Sequence, residues 1–446
     1  MKVFGTDGIR GIIGEALLNP RFILNLGYAV GKVLYEQKRG PIIVGKDTRI
    51  SGYMIESALE AGLSAAGVGI ILTGPLPTPA IASLVTRHDA AGAFVISASH
   101  NTYEYNGLKI FNSSGEKLTQ VNELEIESIL ETLETEPMYC VQSHKLGKAQ
   151  RLTDAANHYI RYLISCVKHD LDLEKMKIVF DGANGAGYFV GPSLLRQLGA
   201  EVISINCGPD GLNINSNCGS THPNQIKEMV LKTKADLGIC LDGDGDRLVV
   251  VANNEIYNGD KILYLIAKSM KIRNLPIDGI VGTELSNGAL PIALSKYGIE
   301  FTRSSVGDKH VYELLKSNNW QLGGEPSGHI IFREFANTGD GLLSALKVLE
   351  AIKFSNKTIS ELLEDYNSLP NLSTNITINS IDQVENILNS SQFKQFIQQL
   401  NSDTKNYQRV IVRKSGTENL LRVFVESESN SLNEKIVNDI LEKIKL

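Results

Sequence analysis

Apolar positions along the 446-residue chain fall into short runs separated by stretches of helical spacing. Ile42-Ile-Val44 is a brief strand of the buried type, stopped by Gly45. Ile55, Leu59 and Leu63 then recur on one helical face, and Ser51 reads as the cap of that helix. Val68 to Leu72 predicts a second strand. Thr78-Pro79 reads as the N-cap and N1 of a helix ending near Arg87, and Ala93 to Ile96 predicts a third strand. Alternation of this kind predicts an α/β unit on a parallel sheet, where chemistry collects at the carboxyl ends of strands.

Near Arg151 the pattern restarts. Thr153/Asp154 can cap a helix with Ile160, Leu163, Ile164 and Val167 on one face. Then come a strand at Lys177 to Phe180, a glycine-rich turn, a helix near Pro192 to Leu198, and strands at Glu201 to Ile205 and Leu237 to Leu241. A third unit runs from about Asn254, with a strand at Gly279 to Val281, a helix through Leu290 to Lys296, a glycine-rich loop at 323–328 and a helix from Gly341 to Ile352. The polar stretch Tyr366 to Thr374 reads as a linker. Beyond it, strands at Val410 to Val412 and Leu420 to Val425 and a C-terminal helix predict a smaller α+β unit. The expected boundaries are 1–151, 152–253, 254–367 and 368–446. No fixed-period repeat is present, yet each segment carries one loop rich in glycine and polar residues.

Composition narrows the function classes. The chain is too long for one core, and at 42% hydrophobic and 21% charged residues it reads as ordinary globular protein. A net charge of −6 argues against a general nucleic-acid surface while leaving room for local anion sites. The five cysteines (Cys140, Cys166, Cys207, Cys218, Cys240) have no C-x-x-C spacing, so buried thiols are expected rather than zinc or disulfides. The start, MKVFGTDGIRG, lacks the pattern of a signal peptide. The most apolar stretch, Ala61 to Val85, is interrupted by Gly67, Gly69, Gly74 and prolines, so no membrane span and a cytoplasmic location are expected.

The sharpest chemical feature is Asp242-Gly-Asp-Gly-Asp246-Arg247, directly after a predicted strand. Three carboxylates at alternate positions repel one another, and the glycines between them let all three turn toward one centre. Hard oxygen ligands of this kind suit Mg²⁺ or Ca²⁺. An EF-hand fails on its sixth position, Arg247, and its twelfth, Asn253. A solvated acidic turn is the plain alternative.

Four further loops attract notice. In FVISASHNTYEYNG, Ser99 and His100 are adjacent, so the histidine is poorly placed to act as the serine's base, and no G-x-S-x-G elbow surrounds it. Such a serine can still carry a phosphoryl group between alcohols if Mg²⁺, Lys109 and arginine stabilise the charge. Arg413-Lys-Ser-Gly-Thr-Glu-Asn419, with Arg422, reads as a phosphate cradle or a solvated basic turn. In Gly323-Gly-Glu-Pro-Ser-Gly-His329, Glu325 can accept from vicinal hydroxyls with Ser327 and His329 as donors, although an ordinary capped turn reads equally well. Arg10 in GTDGIRG and Lys46 and Arg49 in KDTR lie on loops near strand ends, where basic residues are usually exposed. Gly182-Ala-Asn-Gly-Ala-Gly187 lacks dinucleotide spacing and is set aside.

Serine loop, acidic loop, GGEPSGHII and RKSGTEN occur in an order and spacing that resemble the α-D-phosphohexomutase superfamily over essentially the whole chain. FGTDGIRG, ISASHN and GGEPSGHII are most similar to its bacterial phosphoglucosamine mutase branch. The resemblance implies four domains around a cleft, the first three alike in mixed-sheet α/β fold. It implies a phosphorylated Ser99 that, with Asp242, Asp244 and Asp246, holds Mg²⁺. It places Arg10 and Lys109 at the reacting centre, with Lys109 the proton-transfer partner, Arg247 an electrostatic one and His100 positioning the loop. Glu325, Ser327 and His329 would bind sugar, and Arg413, Ser415, Gly416, Thr417 and Arg422 the phosphate that is not reacting. The implied activity interconverts glucosamine 6-phosphate and glucosamine 1-phosphate through a 1,6-bisphosphate, for UDP-N-acetylglucosamine synthesis. The implied partners are a phosphosugar, no nucleic acid and no membrane, in a monomer or homodimer. Phosphoglucomutase or phosphomannomutase activity, a Mg²⁺-dependent phosphatase and a non-catalytic phosphosugar-binding protein are the alternatives. Thr102, Pro326, Ser305, Lys309 and Asn419 depart from the usual residues of the superfamily.

Overall fold

The computed structural model of the protein describes residues 2–5, 7–15, 17–167, 171–378, 380–402, 408–414 and 420–445. Two compact units are present: Met1–Glu284 with Ile299–Leu363, and Leu285–Gly298 with Glu364–Leu446.

The larger unit holds three sheets. Strands Ile9–Ile12 (β1), Ile42–Lys46 (β2), Ile70–Pro75 (β3), Gly92–Ile96 (β4), Tyr105–Phe111 (β5) and Ala149–Arg151 (β6) form the first, in the order β1-β5-β4-β2-β3-β6. Pairing through β4, β2, β3 and β6 is parallel, as expected, but β5 and β1 are added antiparallel. For β5 the reason is the short connection after β4, which returns the chain directly beside the strand it left; parallel neighbours need a long crossover.

That reversal recurs. Lys177–Asp181 (β7), Glu201–Ile205 (β8), Leu237–Leu241 (β9), Leu248–Ala252 (β10) and Glu255–Tyr257 (β11) form the second sheet, parallel through β8, β7 and β9 and antiparallel from β9 onward. Gly279–Thr283 (β12), Glu300–Ser304 (β13), Leu322–Gly324 (β14) and Ile330–Phe332 (β15) form the third, with β14 reversing into β15. The serine loop, the acidic loop and the Gly-Glu-Pro-Ser-Gly loop are the three reversals, at equivalent places in three related sheets.

Helices Pro20–Gln37 (α1), Ser51–Ala65 (α2) and Thr78–Arg87 (α3) flank the first sheet. Ile23, Leu26 and Val30 of α1 and Ile55, Leu59 and Leu63 of α2 share a buried cluster with Ile42, Val44, Phe94 and Leu108. α1 and α2 approach closely enough that glycine is required where they touch. A Cβ on Gly27 would stand 2.9 Å from the Leu59 carbonyl oxygen, and one on Gly62 2.8 Å from the Tyr28 nitrogen.

Several local expectations are corrected. Ile50 and Pro77, not Ser51 and Thr78, are the N-caps of α2 and α3, and neither cap makes a side-chain bond. Ser51 instead accepts from Asn106 Nδ2 (2.8 Å), and Thr78 donates to Asp244. Asp154 does occupy an N-cap, but its carboxylate is taken by Asn157 and Arg161 rather than by the helix backbone. Cys166, Cys218 and Cys240 are buried as expected, whereas Cys207 is half-buried and Cys140 exposed. Among the described residues no helix is long and apolar enough to cross a membrane.

The smaller unit is built on an antiparallel sheet of Asn371–Thr377 (β16), Arg409–Lys414 (β17) and Leu420–Glu426 (β18), in the order β16-β18-β17. Much of the expected linker is therefore strand: β16 pairs with β18 over seven residues. The helix Ala289–Ser295, expected in the third segment, also belongs to this unit. Asn287 Nδ2 donates to the Leu369 carbonyl (2.9 Å), and the Gly288 N–H donates to the Glu426 carboxylate (3.0 Å), which Arg409 pairs at 3.0 Å.

The helix contact is open to a direct check. Gly62→Ala is expected to destabilise the protein by about 2 kcal/mol, an overpacking cost against backbone that cannot move aside. Gly208→Ala, where nothing lies within 4 Å of the added methyl, should leave the urea midpoint nearly unchanged.

Candidate active site

The acidic loop leaves β9, all five of whose residues are buried, and returns through β10. Gly245 has φ +70°, and a Cβ on Gly243 would stand 2.6 Å from both the Ser99 carbonyl oxygen and Asn215 Nδ2. Glycine is needed at both positions for the chain to turn this tightly. The result is that Asp242, Asp244 and Asp246, all buried, place carboxylate oxygens within 4.8 Å of one another.

Burial, with Asp246 and Asp244 alongside, pushes Asp242 up to about 8. Burial acts on Asp246 in the same direction, but Lys109 and His329 outweigh it and hold its carboxyl well below the usual range. Lys109 reaches in from β5 and sits 2.8 Å from both Asp244 Oδ2 and Asp246 Oδ2. Although burial disfavours its charge, those two carboxylates keep it an ammonium with a pKa well above the ordinary lysine value. Arg247 stands 3.9 Å from Asp242 and Asp246. Asp244 Oδ1 and Asp246 Oδ1 are buried and accept no hydrogen bond among the described residues. Three converging carboxylates with oxygen atoms to spare fit a hard divalent cation.

Ser99 lies on the reversal after β4, buried and with φ +52°, a conformation that L-residues rarely adopt. Its hydroxyl donates to Asp242 Oδ2 (2.6 Å), and its N–H donates to Ser97 Oγ (2.9 Å). The serine bonds to the acidic loop and not to His100, consistent with setting the hydrolase reading aside. Burial, together with Arg247 and Arg10, lowers the His100 pKa to about 4, so the ring is neutral.

The third reversal meets the acidic loop through its backbone: the Leu248 N–H donates to the Gly328 carbonyl (3.0 Å). Glu325 accepts from the Gly307 N–H (3.1 Å), and Ser327 is exposed. His329 is buried, with Nδ1 3.5 Å from Asp246 and Nε2 3.4 Å from Asp308. Two demands meet on this ring. Burial disfavours its charge, but Asp246 and Asp308 prevail and raise its pKa to about 9. The Gly339 N–H, however, points at Nε2 from 2.9 Å and requires a lone pair there. Because that donor is fixed backbone, the neutral ring with its proton on Nδ1 is the form the hydrogen bonds select.

Beyond the His329 ring, opposite charges alternate. Asp308 is 2.6 Å from Lys117, Lys117 pairs with Asp7, and Asp7 pairs with Arg10. Arg10 is thereby tied to the same charge chain as the acidic loop, exposed at its far end.

Arg413 and Arg422 are directly opposed across β17 and β18. Ser415, Gly416, Thr417 and Asn419 lie outside the described residues. Lys309, one of the departures from the superfamily pattern, points at the Leu118 carbonyl (3.3 Å) and Glu123 (3.5 Å). The Thr102 carbonyl receives Arg49, and the Pro326 carbonyl receives the Gly259 N–H.

Lys46 and Arg49 correct the sequence reading: neither is a surface base. Lys46 is buried on Glu56 (2.8 Å), and Arg49 has no exposed surface at all. The Gly182–Gly187 turn has a structural use, since the Ala186 N–H donates to the Gly243 carbonyl (2.7 Å) and braces the acidic loop. Thr78, Asn215, Lys117 and Asp308 were not anticipated. Their partners are distant in sequence, so periodicity carries no signal for them.

Three related reversals on a repeated mixed α/β scaffold, gathered around a buried acidic centre, define the class. Models of phosphoglucomutase/phosphomannomutase alpha/beta/alpha domains I, II and III match residues 1–137, 157–255 and 258–369, and that of the C-terminal domain matches 373–443. The chain belongs to the phosphoglucomutase/phosphomannomutase family, the α-D-phosphohexomutases. It is 46% identical over 447 residues to phosphoglucosamine mutase 2 of Shewanella sp. strain MR-7, covering 100% of this chain and 99% of that one. A phosphoglucomutase/phosphomannomutase family protein of Burkholderia thailandensis shares the fold with a TM-score of 0.83 at 23% identity, covering 100% of this chain and 97% of its own. Aspergillus fumigatus N-acetylphosphoglucosamine mutase, solved with GlcNAc-6P and magnesium, has a TM-score of 0.68 at 18% identity, covering 98% and 94%. Family membership and the buried acidic triad together support a metal cofactor.

Chelator-treated protein should gain about 2.7 kcal/mol of stability when a divalent cation is supplied at a hundred times its Kd. Thermal melts in Mn²⁺ titrations read this directly. Asp244→Asn should lose most of the gain, and Lys109→Met, which removes no carboxylate, should keep it. Lys117→Met leaves Asp7 and Asp308 facing each other without their cation. It should cost about 3 kcal/mol in urea unfolding.

Proposed function

We propose that the protein is a phosphoglucosamine mutase that interconverts glucosamine 6-phosphate and glucosamine 1-phosphate through a phosphorylated Ser99. The observation that carries this reading is the Ser99 hydroxyl 2.6 Å from Asp242, within a buried triad whose other two members share Lys109, in a chain 46% identical to a phosphoglucosamine mutase over its whole length. The substrate class, a phosphosugar met in the cytoplasm, and the domain limits 1–151, 152–253, 254–367 and 368–446 are part of the same proposal.

Asp242, Asp244 and Asp246 would hold Mg²⁺ together with the Ser99 phosphate. The cation supplies charge neutralisation on the phosphoryl oxygens and the serine oxygen. In the first half-reaction the Oγ–P bond of phospho-Ser99 breaks and a bond from phosphorus to the sugar's 1-hydroxyl oxygen forms. Lys109, held as an ammonium, gives a proton to the departing Oγ and recovers one from the sugar hydroxyl, so the protein's proton count is unchanged. Arg247 and Arg10 stabilise the phosphoryl charge in transit. The neutral His100 ring adds no further positive charge beside the serine and is proposed to position its loop.

The 1,6-bisphosphate then presents its other phosphate to Ser99, and the steps run in reverse. A bisphosphate needs a second anion site. Arg413 and Arg422, side by side across two strands, are the donors proposed for it, with Ser415, Gly416 and Thr417. Glu325, Ser327 and His329 are proposed to orient the sugar, Glu325 through its carboxylate and His329 by fixing Asp246.

Resting protein is expected to be heavier by one phosphoryl group in intact-mass measurement, and Ser99→Ala should lose both that mass and at least about 10³-fold in turnover. Full turnover by Ser99→Ala would rule the mechanism out. Glucosamine phosphate should be turned over faster than glucose or mannose phosphate in side-by-side assays; the reverse order would reassign the sugar while leaving the mechanism standing.

A further inference from the structure

The Asp47–Arg49 segment is not absorbed by the mechanism, and its geometry is specific. Arg49 is wholly buried, and a guanidinium has five N–H donors. All five are used. Nε donates to Asp47 (2.8 Å), Nη2 to the carbonyls of Ser99 (3.0 Å) and Asn101 (2.8 Å), and Nη1 to those of Thr102 and Tyr105. No donor remains for a substrate phosphate.

Asn215, on the second domain, faces the same carbonyls. Its Nδ2 donates to Ser99 O (2.8 Å) and Asn101 O (2.8 Å). The Asp47 carboxylate that holds Arg49 also accepts the Ser97 hydroxyl (2.6 Å), and Ser97 Oγ accepts the Ser99 N–H. Gly243 of the acidic loop lies against both Ser99 O and Asn215 Nδ2.

We propose that Arg49 and Asn215 form a two-sided carbonyl clamp that positions Ser99 on the acidic loop. It rests on the reading of Ser99 as the phosphoryl carrier. The reasoning is electrostatic. Phosphorylation turns a neutral hydroxyl into a group carrying about −1.5 to −2 charge, beside three carboxylates. A loop held only by its own turn would recoil each time the phosphoryl group arrives. Pinning the carbonyl side from two domains keeps the φ +52° backbone the same in both charge states, so that Oγ returns to one place for each half-reaction. Neither side chain touches the reacting atoms, so both are positioning residues, and a displacement near 1 Å costs about 10²-fold in rate.

Asn215→Asp replaces the shared donor with a carboxylate facing two carbonyl oxygens; Asn215→Ala removes the donor without adding charge. Thr48→Val breaks a neighbouring contact between the same domains, Thr48 Oγ1 to the Asn184 carbonyl, without touching the serine loop. In steady-state assays with glucosamine 6-phosphate, Asn215→Asp is expected to lose about 10²-fold in kcat and Asn215→Ala about tenfold. KM should stay within about threefold, and Ser99 should still be phosphorylated by a hexose 1,6-bisphosphate. Thr48→Val should lose stability but keep kcat. Wild-type kcat in folded Asn215→Ala, or equal kcat losses in Asn215→Ala and Thr48→Val, would overturn the clamp. Loss of function in Ser99→Ala with normal Asn215 variants removes the clamp alone; full turnover by Ser99→Ala removes the underlying reading.

Discussion

Three carboxylates buried within 4.8 Å of one another are the constraint around which the larger unit is arranged. Two like charges about 4 Å apart repel by about 4 kcal/mol at the effective dielectric of a protein. Such a cluster persists only if cations are delivered to it from elsewhere in the fold. Lys109 comes from an antiparallel strand of the first sheet and Arg247 from the loop itself, while the His329 ring of the third reversal turns its Nδ1 toward Asp246. The charge order then extends outward through Asp308, Lys117 and Asp7 to Arg10. What looks like a set of separate basic and acidic residues is one compensation network with the triad at its centre.

The repeated sheet explains how these groups arrive together. In each of the three sheets a central parallel strand folds back on an antiparallel neighbour, and each reversal carries one polar loop. Contacts to the acidic loop are partly backbone: the Leu248 N–H after it reaches the Gly328 carbonyl of the third reversal, and the Gly341 and Thr78 N–H groups, each at a helix start, reach the Gly245 and Asp244 carbonyls. Main-chain bonds of this kind fix loop positions with less dependence on side-chain rotamers than contacts between long side chains. One supersecondary solution, used three times, thus supplies the serine loop, the acidic loop and a third polar loop.

The parts of this that were legible in the sequence are those whose signal is local. Alternating Asp and Gly after an apolar run announces convergent carboxylates, and the strand pattern placed β2, β4, β8 and β9 to within two residues. Residues whose identity is set by a distant partner were misread or missed. Arg49 and Lys46 looked like surface bases because a buried cation is recognisable only once its acceptors are known. Ser51 and Thr78 looked like caps because a hydroxyl at a helix start usually is one, yet here Asn106 and Asp244 claim them. The helix Ala289–Ser295 lies within the match to domain III, as its place in the chain suggests, and its tie to the C-terminal sheet through the Gly288 N–H and Glu426 has no local signal.

The charge count also links the two modifications proposed for this site. With the triad ionised, Lys109 and Arg247 leave it net negative, and a phosphate on Ser99 adds about −1.5 to −2 more. Burial, with the repulsion of Asp246 and Asp244 added to it, already raises the Asp242 pKa to about 8. With the Ser99 hydroxyl 2.6 Å from that carboxylate, a phosphate proposed there would be favoured by a divalent cation, for which it would offer further oxygen ligands. On the proposed reading, metal binding and serine phosphorylation would be coupled, each favouring the other by the same factor, as linkage requires.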